Sequence, residues 1–152
     1  MSINNTAMNH MKVVLRPILL SFVIVGCSEN SAKIPTVPGR WYTEAQTLEG
    51  KDLYEANCIS CHGVKGRGTV RNWQQTLEDG SYPPPPLNGT AHSWHHPKKA
   101  LTLTINNGGL ALGGKMPGFN DKLNDKQIDS LIAYIQSLWP DDIYRNWESR
   151  NK

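Results

Sequence analysis

Residues 58 to 62 read Cys-Ile-Ser-Cys-His, two thiols separated by two residues with an imidazole directly behind the second. That spacing serves three chemistries: a zinc site, a thiol–disulfide exchange pair, or covalent attachment of a haem. A structural zinc site needs four ligands, and the chain has no second cysteine pair; only the histidines at 92, 95 and 96 are at hand to contribute. An exchange pair belongs in a βαβ setting, and no segment alternates cleanly enough to read as a strand. Haem attachment asks for no more than the motif itself. The cysteines reach two vinyl groups on one edge of the porphyrin, and the adjacent histidine swings its imidazole under the iron. Cys58 and Cys61 are therefore assigned to one covalent haem and His62 to its iron.

The N-terminus implies export, which haem attachment of this kind requires. Met11 to Cys27 reads MKVVLRPILLSFVIVGC, a short positive start followed by an apolar run. The run is too short for a membrane span, which needs about 20 apolar residues, and it reads as the core of a secretory signal. Ile24-Val25-Gly26-Cys27 resembles the lipobox of bacterial lipoproteins, with Cys27 as the lipidated residue. The competing reading is a membrane anchor or a plain signal with a coincidental cysteine. The lipid assignment also settles the cysteine count: of three cysteines, Cys27 carries lipid and the other two carry haem, so no disulfide is expected. Met8 or Met11 can each serve as the true start.

The expected organisation is a signal peptide over 1–26, a lipidated tether over 27–40, one domain over 41–140, and a C-terminal tail over 141–152. The tether is polar, carries two prolines, and when extended reaches on the order of 40 Å. Ordered structure is expected from about Trp41. Removing the signal takes away Lys12 and Arg16 and leaves 14 basic residues against 13 acidic ones. No basic run exceeds the pair Lys98-Lys99, and no nucleic-acid motif is present. Nucleic acid is excluded as a partner.

Within the domain the periodicity is helical throughout. Thr43 and Gln46 form a capping box that starts a helix running to about Asn57. Pro97 suits the first turn of a helix through KKALTLTINN that stops at Gly108-Gly109. Asn124 and Gln127 cap a last helix whose Ile128, Leu131, Ile132, Ile135 and Leu138 form a single apolar face. Between them lie long irregular stretches, including the proline run 83–86 and a glycine-rich loop over 108–121. So much loop in 126 mature residues needs a large apolar group to pack on. The haem supplies it.

From Thr43 to Trp139 the sequence resembles a class I (mitochondrial-type) monohaem cytochrome c. Gly50 and Tyr54 precede Cys58 by eight and four residues, and Tyr134 lies in LIAYIQSL of the last helix, matching the glycine and aromatics at which that family's terminal helices cross. CISCH and KMPGF are the two anchors of the match. The resemblance implies an all-α fold of short helices and long loops wrapped around one covalent haem. It also implies that the carbonyl of Pro85 accepts the Nδ1 proton of His62, and that Leu87 packs on the haem.

The second axial ligand is expected to be Met116. Met1, Met8 and Met11 precede the cleavage site, and Met116 lies in GGKMPGF, where glycines allow the loop to approach the porphyrin. A gap-filling core methionine, and ligation by one of His92, His95 and His96, are the competing readings. Trp94, within AHSWHHP, is placed in the haem pocket. It either packs at the rim or, like one of the imidazoles, hydrogen-bonds a haem carboxylate; copper binding by the three histidines is a third reading.

With two protein ligands on the iron, no site is open to a substrate, and the expectation is a one-electron carrier in a periplasmic respiratory chain, not an enzyme. The alternative is a haem-based sensor or copper-handling protein with a labile Met116. Expected partners are redox proteins and, through the lipid, a membrane; no small-molecule substrate is expected. Seven basic residues against three acidic ones between Cys61 and Lys122 point to a rim that docks acidic partners. Ser28 is not the aspartate that retains many bacterial lipoproteins at the inner membrane, so the outer membrane, periplasmic side, is preferred.

Overall fold

Two capping boxes fix the starts of the two helices that cross at the centre of the molecule. In α1 (Glu44–Asn57) the Gln46 amide donates to Thr43 Oγ1 at 3.2 Å while the Thr43 amide donates to Gln46 Oε1 at 3.0 Å. Asn124 and Gln127 make the same reciprocal pair, both bonds 3.0 Å, ahead of α4 (Asp125–Ser137). Caps of this kind stabilise a helix by about 1 kcal/mol. The computed structural model describes residues 35–151. The expected signal segment, the lipidation cysteine and most of the tether lie outside the described residues.

Between these helices come α2 (Ile59–His62), a single turn holding the second cysteine and the histidine, and α3 (Lys98–Asn107), preceded by Pro97 as its N-cap and ended by Gly108. Short 3₁₀ turns cover Val64–Gly66, Ser93–His95 and Leu110–Leu112. Among the described residues there is no strand. The fold is the all-α arrangement expected of a class I cytochrome c.

The α1–α4 crossing depends on Gly50. A Cβ there would lie 1.9 Å from the Ser130 carbonyl oxygen and 2.9 Å from Tyr134 Cβ. Only a residue without a side chain permits that approach. Tyr54, one turn on, is fully buried; its ring meets Tyr134 at 5.3 Å between centroids, and its hydroxyl donates to the Gly63 carbonyl at 2.7 Å. The crossing thus fixes the start of the loop that follows His62.

The structure corrects three expectations. First, α4 is buried on more than one face: Ser130, Ala133, Tyr134 and Gln136 are enclosed together with Ile128, Leu131, Ile132 and Ile135, while Leu138 is half-buried. Ser130 Oγ donates to Glu49 of α1 at 2.7 Å, and Gln136 Oε1 accepts the Trp41 indole N–H at 2.6 Å. Second, residues 141–152 are not a tail. Asp141–Arg150 forms α5, in which Tyr144 and Trp147 are buried against Tyr42 and Trp139. Third, order begins before Trp41. The Val37 amide donates to the Tyr42 carbonyl at 2.8 Å, and the Arg40 guanidinium lies 3.8 Å over the Tyr144 ring while pairing with Asp141. The end of the expected tether is therefore part of the folded body.

Candidate functional site

One narrow apolar cleft, with a cavity volume of about 80 Å³, collects residues from several elements of the domain around α2. Cys58 and His62 line it together with Leu87 from the proline loop. Leu101, Thr104 and Ile105 enter from α3, Met116 and Phe119 from the glycine-rich loop, and Leu131, Ile132 and Ile135 from α4. Ser93 of the second 3₁₀ turn completes the wall. Three residues of the apolar face read from the sequence of α4, Leu131, Ile132 and Ile135, line this cleft.

His62 is the best-defined polar group in it. Its Nδ1 lies 2.9 Å from the Pro85 carbonyl oxygen. A carbonyl only accepts, so Nδ1 carries the proton and donates it, which leaves the lone pair on Nε2. Burial pushes the imidazole below its ordinary pKa, the Pro85 bond opposing it more weakly, so the neutral ring prevails. A neutral imidazole with a free Nε2 is the form that ligates a metal.

The segment that supplies this carbonyl is held from two sides. The Leu87 amide donates to the Gly66 carbonyl at 2.7 Å, and the buried Trp139 indole donates to the Leu87 carbonyl at 2.8 Å. Four consecutive prolines ahead of it carry no N–H, so this irregular stretch brings few donors in need of partners.

Cys58 is buried and Cys61 exposed, and neither is in a disulfide. Burial, with a smaller contribution from Cys61, raises the Cys58 thiol to about 11. Thiol–disulfide exchange requires the thiolate. A thiol pushed upward in this way is poor in thiolate at neutral pH.

Met116 is half-buried and lines the same cleft as His62. Its loop is folded back on the end of α3: the Gly109 amide donates to the Met116 carbonyl at 2.9 Å and the Phe119 amide to the Ile105 carbonyl at 3.0 Å. Gly108, at φ +72°, makes the return possible, because a Cβ there would lie 2.4 Å from the Met116 oxygen and 2.6 Å from the Gly118 nitrogen.

Trp94 packs against the core but does not line the cleft; its ring meets His95 at 4.0 Å and lies under the Arg150 guanidinium at 5.0 Å. The residue before it, Ser93, faces the cleft instead. A serine in a polar loop carries no periodic signal, so only the turn geometry identifies it. His92 stacks on Trp73 at 5.4 Å and meets His96 at 5.6 Å. Burial, and then the neighbouring His96 and His95, lower the His92 pKa. Among the described residues no three His, Cys, Asp or Glu side chains converge to hold a metal ion.

The donor set and the walls fit a haem. A thiol, an imidazole with its Nε2 lone pair free, a thioether and a buried hydroxyl without a partner line one apolar cleft.

Comparison with known proteins agrees. Residues 45–135 match the family described as cytochrome c oxidase, cbb3-type, subunit III. The chain is similar to the cbb3-type cytochrome c oxidase subunit CcoP of Azospirillum brasilense, 34% identical over 97 residues, covering 63% of this chain and 30% of that protein. It is also similar to a thiosulfate dehydrogenase of Allochromatium vinosum, 32% identical over 97 residues, covering 60% of this chain and 31% of the relative. Cytochrome c6 of Leptolyngbya boryana is 29% identical over 91 residues, 60% of this chain and 91% of that protein. The chain spans about a third or less of the length of the cbb3-type relatives it matches.

Proposed function

The chain belongs to the cytochrome c family of cbb3-type oxidase subunit III, with its one covalent c-type haem, and from that premise we propose that it is a one-electron carrier with His/Met ligation. The observation that carries the proposal is the convergence of His62 and Met116 on one apolar cleft, with His62 Nδ1 engaged by Pro85 and Nε2 left to ligate.

When bound, the haem supplies an iron that alternates between ferric and ferrous. The protein does the rest. Cys58 and Cys61 would hold the group through thioether bonds, Cys58 from the cleft wall and Cys61 from an exposed position. The Pro85 carbonyl fixes the His62 ring and strengthens it as a donor. Met116, a soft thioether, would favour the ferrous state and so raise the potential. Leu87, Ile105, Phe119 and the α4 residues of the cleft exclude water, which limits reorganisation when charge changes. With His62 and Met116 both holding the iron, the group would serve electron transfer and not catalysis.

The proposed setting is a respiratory chain on the periplasmic side of a bacterial membrane, with lipid on Cys27 as anchor and the outer membrane preferred. No helix among the described residues is long and apolar enough to cross a membrane. Redox proteins with acidic docking surfaces are the proposed partners. Lys98 and Lys115 are taken up by Asp129 and Asp79, which narrows the basic rim to Lys65, Arg67, Arg71, Lys99 and Lys122. The sensor and copper-handling alternative gains no support, because His92 is stacked on Trp73 and the three imidazoles do not converge on a metal-binding group.

Met116→Ala tests the ligand assignment. The variant should keep covalent haem, lose its low-spin ferric spectrum, drop in potential and bind exogenous ligands. A variant with wild-type spectrum and potential would show that Met116 is not the ligand.

A further inference from the structure

Ser93 is 7% exposed, and its Oγ is buried with no hydrogen-bond partner. Buried polar side chains almost always have one. The residue lines the cleft, where the other polar wall residues are His62 and Thr104. His62 Nδ1 is already engaged by Pro85. A haem is an apolar ring whose peripheral hydrogen-bonding groups are its carboxylate arms, and a hydroxyl is the donor a carboxylate takes.

The turn that carries Ser93 is held by an element outside the family-matched residues 45–135. The amide of His96 donates to the Ser93 carbonyl at 3.3 Å, and that of His95 to the His92 carbonyl at 2.9 Å. From α5, the buried Trp147 indole donates to the His96 carbonyl at 2.8 Å, and Arg150 covers Trp94. On the far side His92 stacks on Trp73. The turn is thus clamped at both ends, with the hydroxyl in the wall of the cleft.

We propose that Ser93 donates a hydrogen bond to a carboxylate arm of the haem, and that Trp147 of α5 is the positioning residue that holds it there. The proposal rests on the haem reading above. It makes α5 an element that sets the potential of the carrier. A donor to the carboxylate disperses its negative charge, which in a low-dielectric cleft would otherwise favour the ferric iron. Ser93 therefore raises the potential.

The test is a potentiometric titration of purified holo-protein at one mildly alkaline pH, where the carboxylate stays ionised. Ser93→Ala should have a lower potential than wild type, and Ser93→Thr, which restores a hydroxyl, should return it toward the wild-type value. Trp147→Phe keeps the aromatic packing but removes the donor to His96; it should lower the potential less than Ser93→Ala does, and should add nothing in the Ser93→Ala background. An unchanged or raised potential in Ser93→Ala, or a Thr variant as low as the Ala variant, overturns the hydrogen bond. A Trp147→Phe shift that persists in full in the double variant overturns the role of α5. If those failures occur while all variants keep a low-spin, methionine-ligated spectrum, the carrier reading stands and this proposal alone falls. A wild type without covalent haem or methionine ligation would instead remove the reading beneath it.

Discussion

Gly50→Val perturbs the closest helix contact in the molecule. At that site an added Cβ meets the Ser130 carbonyl oxygen at 1.9 Å, the Ser130 carbonyl carbon at 2.5 Å and Tyr134 Cβ at 2.9 Å. Two of the three are backbone atoms, which cannot rotate aside. Ordinary contact begins near 3.4 Å, so α1 and α4 must part by about 1.5 Å. A gap of 0.5–1 Å already forfeits roughly a quarter to a half of the dispersion at an interface, and overpacking of this kind costs about 1–3 kcal/mol. Separation also strains the Ser130–Glu49 hydrogen bond, whose serine is buried and whose carboxylate is exposed, so that it adds little to the loss. The expected loss is about 1–3 kcal/mol, a sizeable share of a domain's stability. Because Tyr54 lies on the same crossing and holds the Gly63 carbonyl, the loop after His62 should loosen too. Denaturant unfolding of the holo-protein, with Lys51→Ala on the exposed face of α1 as reference, measures the effect. A Gly50→Val loss below about 1 kcal/mol would refute the contact.

Gly108→Ala and Gly113→Ala should separate steric from conformational effects in the methionine loop. Both glycines have positive φ, but a Cβ at Gly108 strikes the Met116 oxygen while one at Gly113 meets open space. Gly113→Ala should cost only the left-handed penalty of about 1–2 kcal/mol, whereas Gly108→Ala should also raise the high-spin fraction in the ferric spectrum; equal spectra would refute the clamp. Burial pushes Tyr42 and Tyr54 up to about 12 from 10.0. The folded state then binds protons that the unfolded state has released, so stability should be level below pH 10 and fall as pH rises from 10 toward 12. Tyr54→Phe should reduce that slope, and an unchanged alkaline transition would contradict the assignment. Cys27→Ser should release the protein from the membrane fraction or leave it uncleaved, with its haem spectrum unchanged. Wild type in the soluble fraction without detergent would end the lipid reading.

The helices and the attachment motif were readable because each has a local cause. Thr43/Gln46 and Asn124/Gln127 announce helix starts through short-range hydrogen bonding, and Gly50 marks a crossing because no other residue fits there. The cleft brings together Cys58, His62, Leu87 and Met116, residues spread over the length of the domain, because each stands at the end of a helix or in a loop with a recognisable shape. What the sequence hid depends on tertiary packing. DDIYRNWESR has little apolar surface, and α5 forms because Tyr144 and Trp147 find Tyr42, Trp139 and Arg40 to cover them. Gln136 reads as solvent-facing and is buried because Trp41 returns to it across the chain. Trp94 and Ser93 are neighbours, and which of them faces the cleft is decided by the 3₁₀ turn that α5 clamps.

The central claim is a six-coordinate iron between His62 and Met116, and the absorption spectrum of the purified holo-protein tests it most directly. A haem that stays with the polypeptide after denaturation is the first requirement. The account then predicts a low-spin spectrum in both oxidation states, a weak far-red methionine–iron band in the ferric form, and no binding of carbon monoxide by the ferrous form. A high-spin spectrum, or ready uptake of carbon monoxide, would contradict it and leave the iron open to ligands, as a sensor requires.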